Sequence, residues 1–138
     1  KLENIVYNPN NRLVKIIDFD LCQFLPESMI YKSNNLFGTD GHFAPESKLL
    51  QIYSPKTDVW QLGTVLYILL TNMYPCENKC KYLCSQDCVD FMKRNIKYYI
   101  YKYKFSSSLR PLLFNMLESE FKRYTIADVL NSSWLKSI

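Results

Sequence analysis

The chain of 138 residues has no run of about 20 apolar residues, so no membrane-spanning helix is expected. It shows no charged-then-apolar leader, and its five cysteines are an odd number. Reduced thiols in an intracellular, cytoplasmic protein are therefore expected in place of a disulfide framework. The net charge is only +4, too mild to argue for nucleic acid by itself, although it allows an acidic or phosphorylated partner. There is a single histidine, His42, and no motif pairs it with a nucleophile, so it reads as an exposed loop residue. No internal repeat and no low-complexity linker divides the chain. With 48% hydrophobic and 22% charged residues it has the composition of one globular domain around one core. It opens on Lys1, not methionine, and reads as a fragment.

What is present is organised around SPKTDVWQLGTVLYILLTNMY, from Ser54 to Tyr74. Ser-Pro suits a helix start, because the serine can cap free amides and a proline at the first helical position loses no hydrogen bond. From Val59 to Leu70 only Gln61, Gly63 and Thr64 interrupt the apolar residues, which predicts a helix buried on nearly every face. Upstream, the β-prone runs Ile5 to Tyr7 and Val14 to Ile17 flank Asn8-Pro9-Asn10-Asn11, which predicts a small hairpin. Residues 20 to 41 mix Pro, Ser, Asn and Gly without period and read as a long, functional loop. Ala44-Pro45-Glu46 then opens a short helical piece. Downstream of the core helix lie regularly spaced cysteines and the basic, tyrosine-rich run KRNIKYYIYKYKF, whose Tyr103 and Phe105 are expected to dock on the core beneath a solvated basic face. Two helices close the chain, Leu109 to Leu117 and one starting at Thr125, where Asp128 completes a capping-box spacing. The expected fold is mainly α with a small β hairpin.

If the two hairpin strands pair, Asn4 at the start of one and Asp18 at the end of the other converge at one edge. An amide oxygen and a carboxylate suit a hard cation such as Mg²⁺. From spacing alone, ordinary turn residues at strand ends are the better reading of the two.

Three short motifs follow in order: Lys1-Leu2-Glu3-Asn4, then Ile17-Asp18-Phe19-Asp20, then Gly38-Thr39-Asp40-Gly41-His42-Phe43-Ala44-Pro45-Glu46. The sequence resembles the C-terminal lobe of eukaryotic protein kinases over essentially all its length. Lys1 to Asn4 is similar to the end of H-R-D-L-K-x-x-N, Asp18 to Asp20 to D-F-G, and Ala44 to Glu46 is A-P-E. Asp58 to Gly63 resembles D-V-W-S-x-G, Glu120 to Thr125 resembles D-P-x-x-R-x-T, and Trp134 resembles the tryptophan of the last helix. The lysine in the catalytic loop and the Gly38-Thr39 pair resemble the serine/threonine branch.

The resemblance implies a partial kinase domain over residues 1–138, with the α+β kinase-like fold and the N-lobe outside this chain. It implies that Asn4 and Asp18 hold the Mg²⁺ ions bridging the phosphates of ATP, and that Lys1 stabilises charge on the transferred phosphoryl group. Thr39 would sit beside the catalytic loop, Glu46 would pair with Arg123, and Asp58 would accept hydrogen bonds from the catalytic-loop backbone. The partners implied are ATP, a protein substrate and an upstream activating kinase, with neither nucleic acid nor membrane.

Departures from the pattern carry equal weight. The H-R-D base would lie two residues before Lys1, so these residues alone are expected to be inactive. Asp20 replaces the D-F-G glycine, as in the MAP-kinase-interacting kinases, which also carry a cysteine-bearing insertion in the region after the core helix. Cys76, Cys80, Cys84 and Cys88 invite a zinc reading. On an unbroken helix, however, four sulfurs at this spacing span about 18 Å and cannot share one ion, so a break in the helix is required. Reduced, partly buried thiols are the alternative. A pseudokinase scaffold and a zinc-binding helical module are the other functional readings.

Overall fold

The computed structural model describes residues 1–75 and 85–137. A 3-10 turn, Leu2–Asn4, leads into β1 (Ile5–Asn8), which pairs antiparallel with β2 (Leu13–Ile16), Ile5 opposite Ile16. Asparagines build the turn between them: Asn8 Oδ1 accepts from the Asn10 N–H at 3.0 Å and Asn11 Oδ1 from the Leu13 N–H at 3.1 Å. The observed strands each begin or end one residue away from the predicted ones, but the Ile17 N–H still donates to the Asn4 carbonyl at 2.9 Å.

The stretch read as a loop is not irregular throughout. Tyr31–Lys32 forms β3 and pairs with β4, Ile52–Tyr53, and the Tyr53 hydroxyl accepts from the Phe37 N–H at 2.7 Å. Strands of two residues carry no readable period, so pairing with a distant partner decides them.

Five helices follow: α1 (Pro45–Leu50), α2 (Pro55–Thr71), α3 (Ser85–Tyr103), α4 (Leu109–Met116) and α5 (Ile126–Leu130). The chain is mainly α with a small hairpin. Gln51 and Asn72 adopt left-handed conformations and end α1 and α2. At the start of α2 the Thr57 hydroxyl accepts from the Ser54 N–H at 3.0 Å, while the Ser54 hydroxyl donates to Glu120 Oε1 at 2.6 Å. Thr125 and Asp128 form a reciprocal cap on α5.

The core gathers on α2. Trp60 and Tyr67 pack with Ala44, with Met92 and Ile96 of α3, and with Leu109 and Leu113 of α4. Val59 heads a second cluster with Leu112, Met116 and Val129. A Cβ on Gly63 would lie 2.9 Å from Met116 Cβ, so α2 and α4 approach as closely as backbone allows. The helix is buried on nearly every face, as its sequence predicts, and from Val59 to Leu70 only one narrow stripe is open. Leu62 is 41% and Leu69 67% exposed. Phe105 is buried as expected, but Tyr103 stays 43% exposed, stacked between Tyr99 and Phe105. Among the described residues no helix is long and apolar enough to cross a membrane.

Candidate active site

The hairpin brings Asn4 and Asp18 together. The Asn4 amide donates from Nδ2 to Asp18 Oδ2 at 3.1 Å, and both side chains are at the surface or close to it. This leaves Oδ1 of each residue for a cation, and an all-oxygen pair is the donor set a hard divalent ion takes. Asp18 has φ +67°, a left-handed conformation that costs a non-glycine residue roughly 1 kcal/mol or more and clusters at functional positions. Asp20, by contrast, is not at positive φ; it sits in a turn closed by the Cys22 N–H donating to the Phe19 carbonyl at 3.0 Å. The missing glycine therefore leaves no strain at Asp20.

The Asn4 N–H donates to the Lys1 carbonyl at 3.1 Å, closing the 3-10 turn. Residues i and i+3 eclipse in such a turn, which sets the exposed Lys1 on the same side as Asn4.

His42 departs from its sequence reading. It is 4% exposed, its ring meets Tyr74 edge-on at 5.6 Å, and its Nδ1 has no hydrogen-bond partner among the described residues. Burial pushes its pKa below the ordinary 6.5, with Glu3 opposing and Lys1 adding to that shift. One sequence signal pointed to this burial: His42 occupies a position where the kinase pattern has another aromatic ring. Thr39 is exposed, and its carbonyl accepts from the His42 N–H at 3.1 Å.

Glu46 and Arg123 meet across 77 residues in a bidentate pair, Nη1 to Oε1 at 2.6 Å and Nη2 to Oε2 at 2.9 Å. Arg123 is 2% exposed and also donates to the Glu118 carbonyl at 2.9 Å and the Lys56 carbonyl at 2.8 Å. Its guanidinium lies over the Trp60 ring at 4.9 Å. The Thr57 hydroxyl adds a long bond of 3.4 Å to Glu46 Oε1. One arginine thus ties α1, α2 and the segment before α5 together.

Asp58 lies in the first turn of α2, where partial loss of hydration raises its carboxyl pKa. Among the described residues no hydrogen bond reaches it, and the H-R-D backbone expected to donate to it is not among them. Sequence reasoning missed two further ties. Lys56 Nζ donates to the Glu120 carbonyl at 3.1 Å, and Lys93 forms an ion pair with Glu118. Neither belongs to a recognisable motif.

Cys76, Cys80 and Cys84 lie outside the described residues, and Cys88 falls on α3. Among the described residues no group of three or more His, Cys, Asp or Glu is placed to hold a metal ion. Cys22 is a free, exposed thiol.

The protein kinase domain model matches residues 1–135. The striated muscle preferentially expressed protein kinase of Danio rerio is 32% identical over 98% of this chain and 4% of that protein. The probable serine/threonine-protein kinase KIN1 homolog of Enterocytozoon bieneusi is 30% identical over 97% of this chain and 21% of that protein. The ovarian-specific serine/threonine-protein kinase Lok of Drosophila melanogaster is 29% identical over 99% and 29%. The chain thus spans less than a third of each of these relatives. Among solved structures, the Cydia pomonella granulovirus kinase PK-1 superposes with a TM-score of 0.69 at 19% identity, over 98% of this chain and 51% of that one. The relatives do not single out the MAP-kinase-interacting group. Its matched length, its fold and its ordered motifs make this chain a member of the eukaryotic protein kinase family, and its architecture that of the C-terminal, mainly helical part of the kinase-like fold.

Proposed function

We propose that residues 1–138 are the C-terminal lobe of a serine/threonine protein kinase domain, which with its N-lobe transfers the γ-phosphoryl group of ATP to a protein hydroxyl. The observation that carries this reading is the Asn4–Asp18 contact at 3.1 Å, with Asp18 held in a left-handed conformation at the end of the hairpin. When bound, Mg²⁺ and ATP supply the phosphoryl group and neutralise charge on its oxygens. Asn4 and Asp18 would hold the metal through their side-chain oxygens. The Lys1 ammonium, on the same side of the turn, stabilises negative charge developing on the transferred group. The Glu46–Arg123 pair anchors the segment that presents Thr39, and the relatives named as serine/threonine kinases support the hydroxyl-bearing substrate. The strain-free backbone at Asp20 favours catalysis over a pseudokinase scaffold.

The test is transfer of radiolabelled phosphate from ATP to a generic basic protein by the domain that contains this chain. Asp18→Asn should lower the rate by about 10² to 10³-fold or more, while Asp20→Gly should change it only a few-fold. Residues 1–138 alone should transfer none. Parent-like transfer by the Asp18→Asn protein, with its fold intact by circular dichroism, would refute the assignment.

A further inference from the structure

We propose that the outer face of the C-terminal half of α3 is a docking surface for an acidic polypeptide segment of a partner protein. From Phe91 to Leu117 the sequence contains no Asp or Glu, while Arg94, Lys97, Lys102 and Lys104 are all exposed. Lys93, at the base of this stretch, is answered by Glu118. Arg94, Lys97 and Lys104 have no ion pair among the described residues. Asp90 lies one turn before Arg94, but beyond it no acid is interspersed among the cations, as a solvated helix normally requires to relieve their repulsion.

The aromatic residues give the face its shape. Tyr99, Tyr103 and Phe105 form a ladder, with ring planes 14° apart at 5.8 Å and 16° apart at 6.1 Å. Lys102 Nζ lies 5.6 Å from the Tyr99 ring and 5.5 Å from the Tyr103 ring, so its ammonium is held by two rings and not swept freely through solvent. Tyr98 is 61% exposed beside it. The result is a fixed cationic spot with exposed lysines and an open phenol around it, which suits carboxylates at intervals along an extended chain. It suits nucleic acid less well. Base stacking needs open ring faces, and here the ladder rings cover one another's faces. Charge complementarity thus selects an acidic peptide.

Fluorescence anisotropy with a labelled peptide of about twelve alternating glutamates and serines tests the proposal on the full chain. Binding should weaken steeply from about 50 to 200 mM salt, because the charges are exposed. Reversing Lys97, Lys102 and Lys104 together to Glu should weaken it about tenfold or more. Reversing Lys15 and Lys32, exposed elsewhere, should change it less than about twofold. A labelled oligothymidylate of equal charge should bind more weakly than the peptide. If the triple variant does not fold, the single changes Lys97→Ala and Lys104→Ala should each weaken binding about two- to threefold. The proposal is overturned by no peptide binding, by equal loss in both charge-reversal sets, by unaffected single variants, or by oligothymidylate binding as tightly as the peptide.

Discussion

Arg123→Ala deletes one of the largest fully buried side chains of the structure and with it every short polar contact of the Glu46 carboxylate. What remains near that carboxylate is the Thr57 hydroxyl at 3.4 Å. Breaking a buried ion pair from one side costs about 3 to 5 kcal/mol, mostly as the penalty of the abandoned charge. The Lys56 and Glu118 carbonyls lose their donors as well, which moves the expected loss toward the upper end of that range. Against a total stability of about 5 to 15 kcal/mol, this lowers the melting midpoint by roughly 10 to 20 °C. The charge swap Glu46→Arg with Arg123→Glu should recover only part of the loss, because a carboxylate at position 123 would face two carbonyls. The apolar pair Glu46→Leu with Arg123→Met should recover most of it, as buried pairs are often replaceable by packed hydrophobes. Arg12→Ala, exposed in the hairpin turn, should shift stability by no more than about 0.5 kcal/mol. Thermal and denaturant melts of these variants measure all four effects. A midpoint for Arg123→Ala equal to the parent's would show that the pair does not anchor the segment.

His42 is neutral and buried, with a folded pKa below 6.5, so the unfolded chain takes up its proton first as pH falls. Its contribution to stability is therefore complete above about pH 6.5 and is lost progressively below it. His42→Phe keeps the ring but cannot titrate, so its midpoint relative to the parent should rise from about pH 8 to about pH 5; a constant difference would refute the burial argument. Gly63→Ala should destabilise by about 1 kcal/mol despite alanine's better helix propensity, because the added Cβ meets Met116 Cβ at 2.9 Å and overpacking costs more than propensity returns. A higher unfolding midpoint for that variant would mean that α2 and α4 separate without cost. The Asp18→Asn transfer assay completes the set by testing the chemistry independently of stability.

Local chemistry in the sequence sufficed wherever a few adjacent residues decide the outcome. Ser54-Pro55 opened α2, Thr125 and Asp128 capped α5, the asparagines after β1 turned the hairpin, and the hairpin in turn placed Asn4 beside Asp18. The ordered motifs went further, since a kinase pattern joins Glu46 to Arg123 across a gap that no periodicity spans. Tertiary structure alone decided what depends on distant neighbours. Leu69 matches the residues around it in polarity yet faces outward, because exposure depends on which elements pack on α2 and not on the helix's own pattern. β3 and β4 exist only through each other, and their side-chain pattern is too short to read. His42 is buried because Tyr74 closes over its loop, a contact between residues 32 positions apart. The orphan Nδ1 and depressed pKa that follow are properties of the cavity, and no residue type carries them by itself.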